Sequence, residues 1–331
     1  MEEENYFFKL SRYQKRIEQL IESDGLRIIP EHRKNEVLAF VKQGLEDFSI
    51  SRSNARARGF GVPVPGDDSQ KMYVWFDALN IYVTAVGYGY DEDLWNKWWP
   101  ADLHVIGKDI IRFHCVYWPA MLLSSKLPLP KAVFSHGFIT IGGQKMSKTL
   151  GNVIDPYDLI DAYGVDALRY YLLREIPPFD DGDLTIKRFG EVYESDLVNG
   201  LGNLVQRVSK MCEGLDLKQL DNSEGKEVNL SKRVGSLIQS YKFSEALDTI
   251  WIQISSLDRY INDKKVWALS LQDKKVSLQQ IIWGTEAMKG LCDIAEALKP
   301  FLPDTAKKIQ QIFKGPMVKA PSIPLFPRIK K

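Results

Sequence analysis

The chain is poor in the residues that usually announce a metal or redox site: 331 residues include only three cysteines and four histidines. Cys115, Cys212 and Cys292 are odd in number and far apart. That excludes a disulfide framework and a C-x-x-C zinc site, and leaves reduced thiols in a cytosolic protein as the plain reading. No run approaches the ~18 consecutive apolar residues of a membrane helix, and the acidic start Glu2-Glu3-Glu4 is unlike a secretory signal. A cytoplasmic protein without membrane association is therefore expected. No internal repeat is present. Nor is there an overall excess of one charge, since 44 Lys and Arg face 43 Asp and Glu. The charge is unevenly spread, however. Residues 200–331 hold 21 basic and 14 acidic side chains, against 23 and 29 in the remainder. A basic C-terminal part suits a polyanionic partner, although a lysine-rich helical surface is more often merely solvated.

What the chain does have is a glycine-rich loop, Gly142-Gly143-Gln144-Lys145-Met146-Ser147-Lys148-Thr149-Leu150-Gly151-Asn152. Lys145 and Lys148 stand three residues apart among glycines and small hydroxyls. Such a loop can close over a polyphosphate, the lysines serving as point charges on phosphate oxygens and the glycines letting the backbone approach. A bare K-x-S-K is otherwise a solvated turn.

Helical periodicity runs through residues 6–58, where Tyr6, Phe7, Leu10, Tyr13, Ile17, Leu20 and Ile21 recur at three- and four-residue steps. Gly25 and Pro30 punctuate it, and a second helix is expected near 35–44. The breakers between Gly59 and Gly66 read as a domain junction. From Met72 the pattern is strand (72–76), helix, strand (103–106), helix (109–124), strand (132–139). Apolar strands alternating with helices predict a parallel sheet of Rossmann type, with ligands beyond the carboxyl ends of the strands. Trp75-Phe76-Asp77 and Ile106-Gly107-Lys108-Asp109 lie at two such handovers. Two short helices (155–163, 165–174) and an acidic turn (180–183) follow. Residues 191–312 read as helical, with weak breaks at 213–229 and 264–275 and a proline-rich end.

The pentapeptide Lys145-Met146-Ser147-Lys148-Thr149 resembles the KMSKS signature of class I aminoacyl-tRNA synthetases, with Thr149 for the last serine. Val74-Trp75-Phe76-Asp77-Ala78-Leu79-Asn80-Ile81-Tyr82, His104-Val105-Ile106-Gly107-Lys108-Asp109-Ile110-Ile111-Arg112-Phe113-His114 and His136-Gly137-Phe138 resemble blocks of the methionyl-tRNA synthetases, in the family's order and spacing. The resemblance implies an α/β plus all-α protein. Residues 1–58 would be a helical remnant of the connective insertion, 59–138 the second half of the Rossmann catalytic domain, 139–195 a small domain bearing the lysine loop, and 196–331 a helical anticodon-binding bundle. The first residues resemble the middle of the family sequence. None of His32, His104, His114 and His136 begins an H-x-G-H motif. The expectation is that the motif and the first Rossmann half are missing from these residues, the chain being a gene fragment, an alternative start or a split half with a complementary N-terminal fragment, and that the chain alone is incomplete for catalysis.

Methionine recognition calls for an apolar slot, a soft contact for the thioether and an anion for the α-ammonium. By resemblance Trp75, Ala78, Leu79, Tyr82, Ile110 and Phe113 wall the slot, Asp109 meets the ammonium and His114 lies near the sulfur. Taken alone, Trp75, Tyr82 and Phe113 read as core aromatics; the intact Gly107–His114 block reverses that reading. Asp77 ranks lower, as a structural or ribose-side carboxylate, and Lys108 could be a surface lysine. ATP with Mg²⁺ is the implied co-substrate. Lys148 and then Lys145 stabilise charge on its phosphates, and His136 and Gly137 border the adenosine. The implied partner is tRNA(Met). Asn203 and Arg207, four apart on one helix face, resemble the pair that reads the first anticodon base. Trp267 resembles the stacking tryptophan, with Val266 where the family has proline. Unassisted, Trp267 would read as interhelical packing. Two rivals stand beside this reading. One is a sister synthetase for leucine, valine, isoleucine or cysteine, which the Asp109–His114 block and the Asn203, Arg207 and Trp267 set argue against. The other is a non-catalytic tRNA-binding module or one half of a split enzyme.

Overall fold

The structure is a computed structural model that describes residues 4–147, 149–217, 229–285 and 288–329. Its contacts divide the chain into two compact units, Met1–Gly137 and Phe138–Lys331.

The first unit is built on a three-stranded parallel sheet. Ala132–His136 is central, with Arg27–Ile29 on one side and His104–Gly107 on the other. The central strand is buried along Ala132, Val133, Phe134 and Ser135, as expected where helices cover both faces of a parallel sheet. Helix Gln14–Glu22 lays Ile17, Leu20 and Ile21 on the sheet, and helix Glu31–Lys42 adds Val37 and Val41. Residues 6–58 are thus not only helical. The short apolar stretch between Gly25 and Pro30 supplies an edge strand of the parallel sheet. The breaker-rich segment 59–66 turns strand Pro63–Val64 back onto Asp67–Met72, which pairs in turn with Ser51–Ser53.

Residues 72–76 do not form the single strand that the sequence pattern suggests. The strand ends at Met72, and Val74–Ala78 is helical, with Phe76 N–H and Asp77 N–H donating to Tyr73 O at 2.9 and 3.1 Å. A three-residue apolar run cannot distinguish strand from helix by period. Here the wider spacing decides, because Trp75, Leu79 and Tyr82 fall at helical i, i+4, i+7 steps. The expected helix 109–124 is likewise composite: a 3₁₀ turn Lys108–Ile110, a π-helical stretch Phe113–Tyr117 and an α-helix Trp118–Ser124. Single-turn π segments recur at functional sites.

In the second unit, Ile139–Ile141 pairs antiparallel with Gln144–Lys145 and parallel with Gly182–Asp183. Helices Pro156–Tyr163, Val165–Arg174 and Ile186–Val192 follow. A π-helical stretch Tyr193–Gly202 then runs into helix Asn203–Cys212. Beyond them lie helices Asn229–Gln239, Phe243–Lys264, Leu271–Trp283, Leu291–Leu298 and Pro303–Ile312 around one apolar core. The break expected at 264–275 is the turn between Lys264 and Leu271; most of the break expected at 213–229 lies outside the described residues. Helix Val165–Arg174 fastens the last corner of the bundle. Asp166 Oδ2 accepts from Thr305 N–H at 2.7 Å, in the first turn of helix Pro303–Ile312. Arg169 donates to Phe301 O and Pro300 O at 2.9 and 2.6 Å. One helix therefore satisfies orphan backbone groups at a bend some 130 residues away. No helix among the described residues is long and apolar enough to cross a membrane.

Candidate active site and nucleic-acid interface

Helix Val74–Ala78 and the turn Ile81–Thr84 face the 3₁₀–π segment that follows strand His104–Gly107. Between them the Trp75 and Phe113 rings stack with centroids 4.3 Å apart and planes inclined by 16°. Tyr82 Oη and His114 Nε2 lie 2.8 Å apart, and His114 Nδ1 lies 3.0 Å from Ile110 O. A carbonyl only accepts, so Nδ1 carries the proton. Burial holds the His114 pKa down, so the ring is neutral and its bare Nε2 accepts from the Tyr82 hydroxyl. Burial raises the Tyr82 pKa as well, which keeps that hydroxyl a donor. His104 sits behind the pair, its ring 4.4 Å from Tyr82. Burial, and then the neighbouring His114, push it down to about 4, and its Nε2 has no hydrogen-bond partner. The result is an aromatic group whose polar atoms are uncharged. Such a lining can take an apolar or thioether side chain without stranding a charge.

Leu79 is buried, Ile110 half-buried, and Ala78 and Asp109 exposed. Asp109 lies at the carboxyl end of its strand, where a Cβ on Gly107 would come 2.9 Å from Asp109 Oδ1; glycine is what lets the carboxylate fold back there. Gly107 pairs with His136 across the two strand ends, and His136 Nδ1 donates to Gly137 O at 2.7 Å. An apolar cavity of about 350 Å³, lined by Phe8, Phe76, Val83, Trp118, Met121 and Leu122 among others, shares no residue with the Trp75–His114 group. The Trp75–His114 group joins a hydrogen-bonded pair of polar side chains to stacked aromatic rings, which makes it the better candidate for a thioether side chain.

In the second unit Lys145 lies on the short hairpin, its Nζ 4.2 Å from the Phe138 ring centroid. Asp183 Oδ1 accepts from Gly143 N–H at 2.8 Å and from Thr140 Oγ1 at 2.9 Å, and Asp181 Oδ1 accepts from Phe138 N–H at 2.8 Å. The acidic turn therefore anchors the lysine hairpin, a role its sequence did not announce. Beyond it Asn152 Oδ1 accepts from Ser147 N–H at 2.9 Å. Lys148 lies outside the described residues. Among the described residues no three His, Cys, Asp or Glu side chains gather to hold a metal.

Farther along, Asn203 is exposed at the start of its helix and Arg207 is half-buried one turn on. Arg207 Nη1 donates to Asp258 Oδ1 at 2.5 Å and Nη2 to Asn262 Oδ1 at 2.8 Å. Asn262 Nδ2 donates to Asp258 Oδ2 at 3.1 Å, which closes a ring. Trp267, 50% exposed, has its ring centroid 6.0 Å from the guanidinium carbon. The 3₁₀ turn Val266–Ala268 carrying it follows Lys265 in the left-handed region (φ 48°) and is seated by the fully buried Val266. Asp258 and Asn262 have no role in the sequence reading. Their i, i+4 spacing on one helix was the available signal.

A family model described as tRNA synthetases class I (M) matches residues 1–209. The methionine–tRNA ligase of Clostridium acetobutylicum is 44% identical over 321 residues, 93% of this chain and 49% of that protein. That of Synechocystis is 44% identical over 328 residues, 94% of this chain and 60% of the other. A Mycobacterium tuberculosis methionyl-tRNA synthetase, solved in complex with methionyl-adenylate, superposes with a TM-score of 0.85 at 33% identity, covering 99% of this chain and 69% of its own. The chain thus spans about half the length of the first of these curated relatives, and its mixed α/β architecture, a parallel sheet with many helices, is that of the solved structure. Motifs, fold and comparisons agree: the chain belongs to the methionyl group of the class I tRNA synthetases.

Proposed function

We propose that these residues carry the methionine slot, one side of the nucleotide site, the lysine loop and the anticodon reader of a methionine–tRNA ligase, which activates methionine with Mg²⁺-bound ATP and transfers it to tRNA(Met). The observation that carries this reading is the neutral chain from Tyr82 through His114 to Ile110, set against the Trp75–Phe113 stack. Trp75, Ala78, Leu79, Tyr82, Ile110, Phe113 and His114 hold the side chain of methionine, and Asp109 pairs with its ammonium. His136 and Gly137 border the adenosine. Lys148 and Lys145 stabilise charge as the methionine carboxylate attacks the α-phosphate and pyrophosphate departs. Labour is divided along the chain: 59–138 serve the catalytic half-site, 139–195 the lysine loop and 196–331 the anticodon, while 1–58 belong to the connective region and brace the sheet. The protein works in the cytoplasm.

The 331-residue sequence contains no H-x-G-H motif, and the proposal assigns the phosphate stabilisation that such histidines give to a complementary half. Methionine-dependent pyrophosphate exchange tests both parts of the proposal. The chain alone should give a rate near background, and an enzyme in which an H-x-G-H half is supplied should give a methionine-specific rate. A robust rate from the chain alone refutes its incompleteness. No rate even with the supplied half, together with retained binding of a CAU anticodon stem-loop, would favour the alternative of a non-catalytic tRNA-binding module.

A further inference from the structure

We propose that Phe60, on the loop 58–62, is a stacking platform for a base of the single-stranded 3′ end of the tRNA, with Arg58 beside it as a partner for phosphate. The proposal rests on the ligase reading above and assigns part of its RNA surface.

Phe60 is 84% exposed, more than any other large apolar side chain among the described residues. A single exposed apolar residue is ordinary on a surface, but here the backbone beneath it is fixed while the ring is left out. Gly59 N–H donates to Asn54 O at 3.2 Å, Phe60 N–H to Ala57 O at 3.0 Å, and Met72 N–H to Val62 O at 2.7 Å. Asn54 Nδ2 ties the same turn to Asp68 O at 2.7 Å. Arg58, Gly59 and Gly61 all lie at positive φ, 53°, 73° and 119°. For arginine that conformation is uncommon and costs energy that a plain surface turn need not bear. An aromatic held out on a fixed backbone meets a ligand with little further loss of entropy. The position suits the 3′ end. Val62 pairs with Met72, and Trp75 of the proposed methionine slot follows three residues later. The end of the tRNA that accepts the methionyl group has to arrive beside that slot. The charge suits RNA as well. Residues 48–66 contain three arginines and no acidic side chain. Arg52 is engaged by Ser49, Ser51 O and the Tyr73 ring, whereas Arg58 is exposed. A lone ring set among glycines and a cation fits a base, which always has a π face, better than it fits an aliphatic protein surface.

The test uses the whole chain and a tRNA(Met) transcript with 2-aminopurine as its terminal 3′ base, compared with the same transcript trimmed of its 3′ overhang. Stacking quenches 2-aminopurine fluorescence, and affinities are read from the anisotropy of a 5′ label at fixed ionic strength. The wild-type chain should quench the probe and bind the untrimmed transcript about tenfold more tightly than the trimmed one, the scale of one stacked base. Phe60→Ala should lose both the quench and the preference at an unchanged melting temperature, and Phe60→Trp should keep both. Arg58→Ala should keep the quench while lowering affinity for the untrimmed transcript and flattening its salt dependence. A quench or a preference that survives Phe60→Ala, or equal binding of both transcripts without a quench, would overturn the proposal and leave the ligase reading intact. So would a Phe60→Ala chain that keeps the preference but no longer associates with a supplied H-x-G-H half, which would assign the ring to a protein partner. A wild-type chain that binds neither transcript at low salt would bring down the tRNA reading and this proposal together.

Discussion

The two candidate sites solve opposite problems with related parts. Tyr82 and the buried, neutral His114 are paired with each other, and the walls are stacked aromatics. Around Arg207, the polar atoms are charged and open to water, held by neighbours on one helix rather than by burial. The difference follows from the ligands proposed. A thioether side chain gains from leaving water and would be penalised by any charge it stranded. An RNA loop brings its own charge and needs donors that remain accessible yet do not wander. Burial supplies order at the first site, and side-chain hydrogen bonding supplies it at the second.

Substitutions can break that contrast, and the largest effect is expected away from both sites. In an enzyme completed with its H-x-G-H half, Lys148→Ala should lower the activation rate by ~10²–10³, comparable to losing one oxyanion donor, with little change in methionine binding. Single-turnover adenylate formation measures it, and an unchanged rate removes Lys148 from the proposed role. The next effect tests burial at the first site through pH. His104 is depressed to about 4 in the folded chain, against about 6.5 unfolded. The unfolded chain therefore binds more protons between those values, and stability is lost as pH falls from about 6.5 toward 4, by on the order of 3 kcal/mol. Urea unfolding at pH 7 and pH 4.5 should show this loss, and His104→Phe should shrink it; equal pH dependence in both proteins counts against the neutral imidazole.

Tyr82→Phe acts on the first site. It leaves His114 Nε2 buried without a donor, which should cost about 1–3 kcal/mol of stability, read from the urea midpoint, and should weaken methionine binding in calorimetry. On the exposed side, Trp267→Ala should forfeit ~1–3 kcal/mol of stem-loop binding with no comparable loss of stability, because half of its ring already faces water. If Trp267→Ala unfolds the bundle instead, the ring is a packing element and the contrast fails. The smallest effect is expected at Asp166→Ala, which removes the acceptor for Thr305 N–H and should lower the melting temperature in line with a loss of about 1 kcal/mol.

Much of the first site was legible because its residues sit in contiguous blocks. Trp75, Leu79 and Tyr82 mark a helix by spacing alone, and Asp109 to His114 follow directly on an apolar strand. The short strands were harder to read. Residues 27–29 lie within a helical pattern and become an edge strand only by pairing with residues 132–134. Residues 74–76 look like a strand until the next turn of helix is counted. The acidic turn at 180–183 was visible as a motif but mute as to purpose, since its carboxylates act on backbone N–H groups some 40 residues earlier.

Local sequence suffices for the alternation of apolar strands with helices, the glycine-bracketed lysine loop, and the residue types at both sites. These are local properties, written in period and composition. Folding is what makes His114 a neutral acceptor, sets His104 behind Tyr82 without a partner for Nε2, and brings Asp258 and Asn262 onto Arg207. Protonation and orientation depend on which groups exclude water and which donors arrive from distant segments, and no reading along the chain contains those distances.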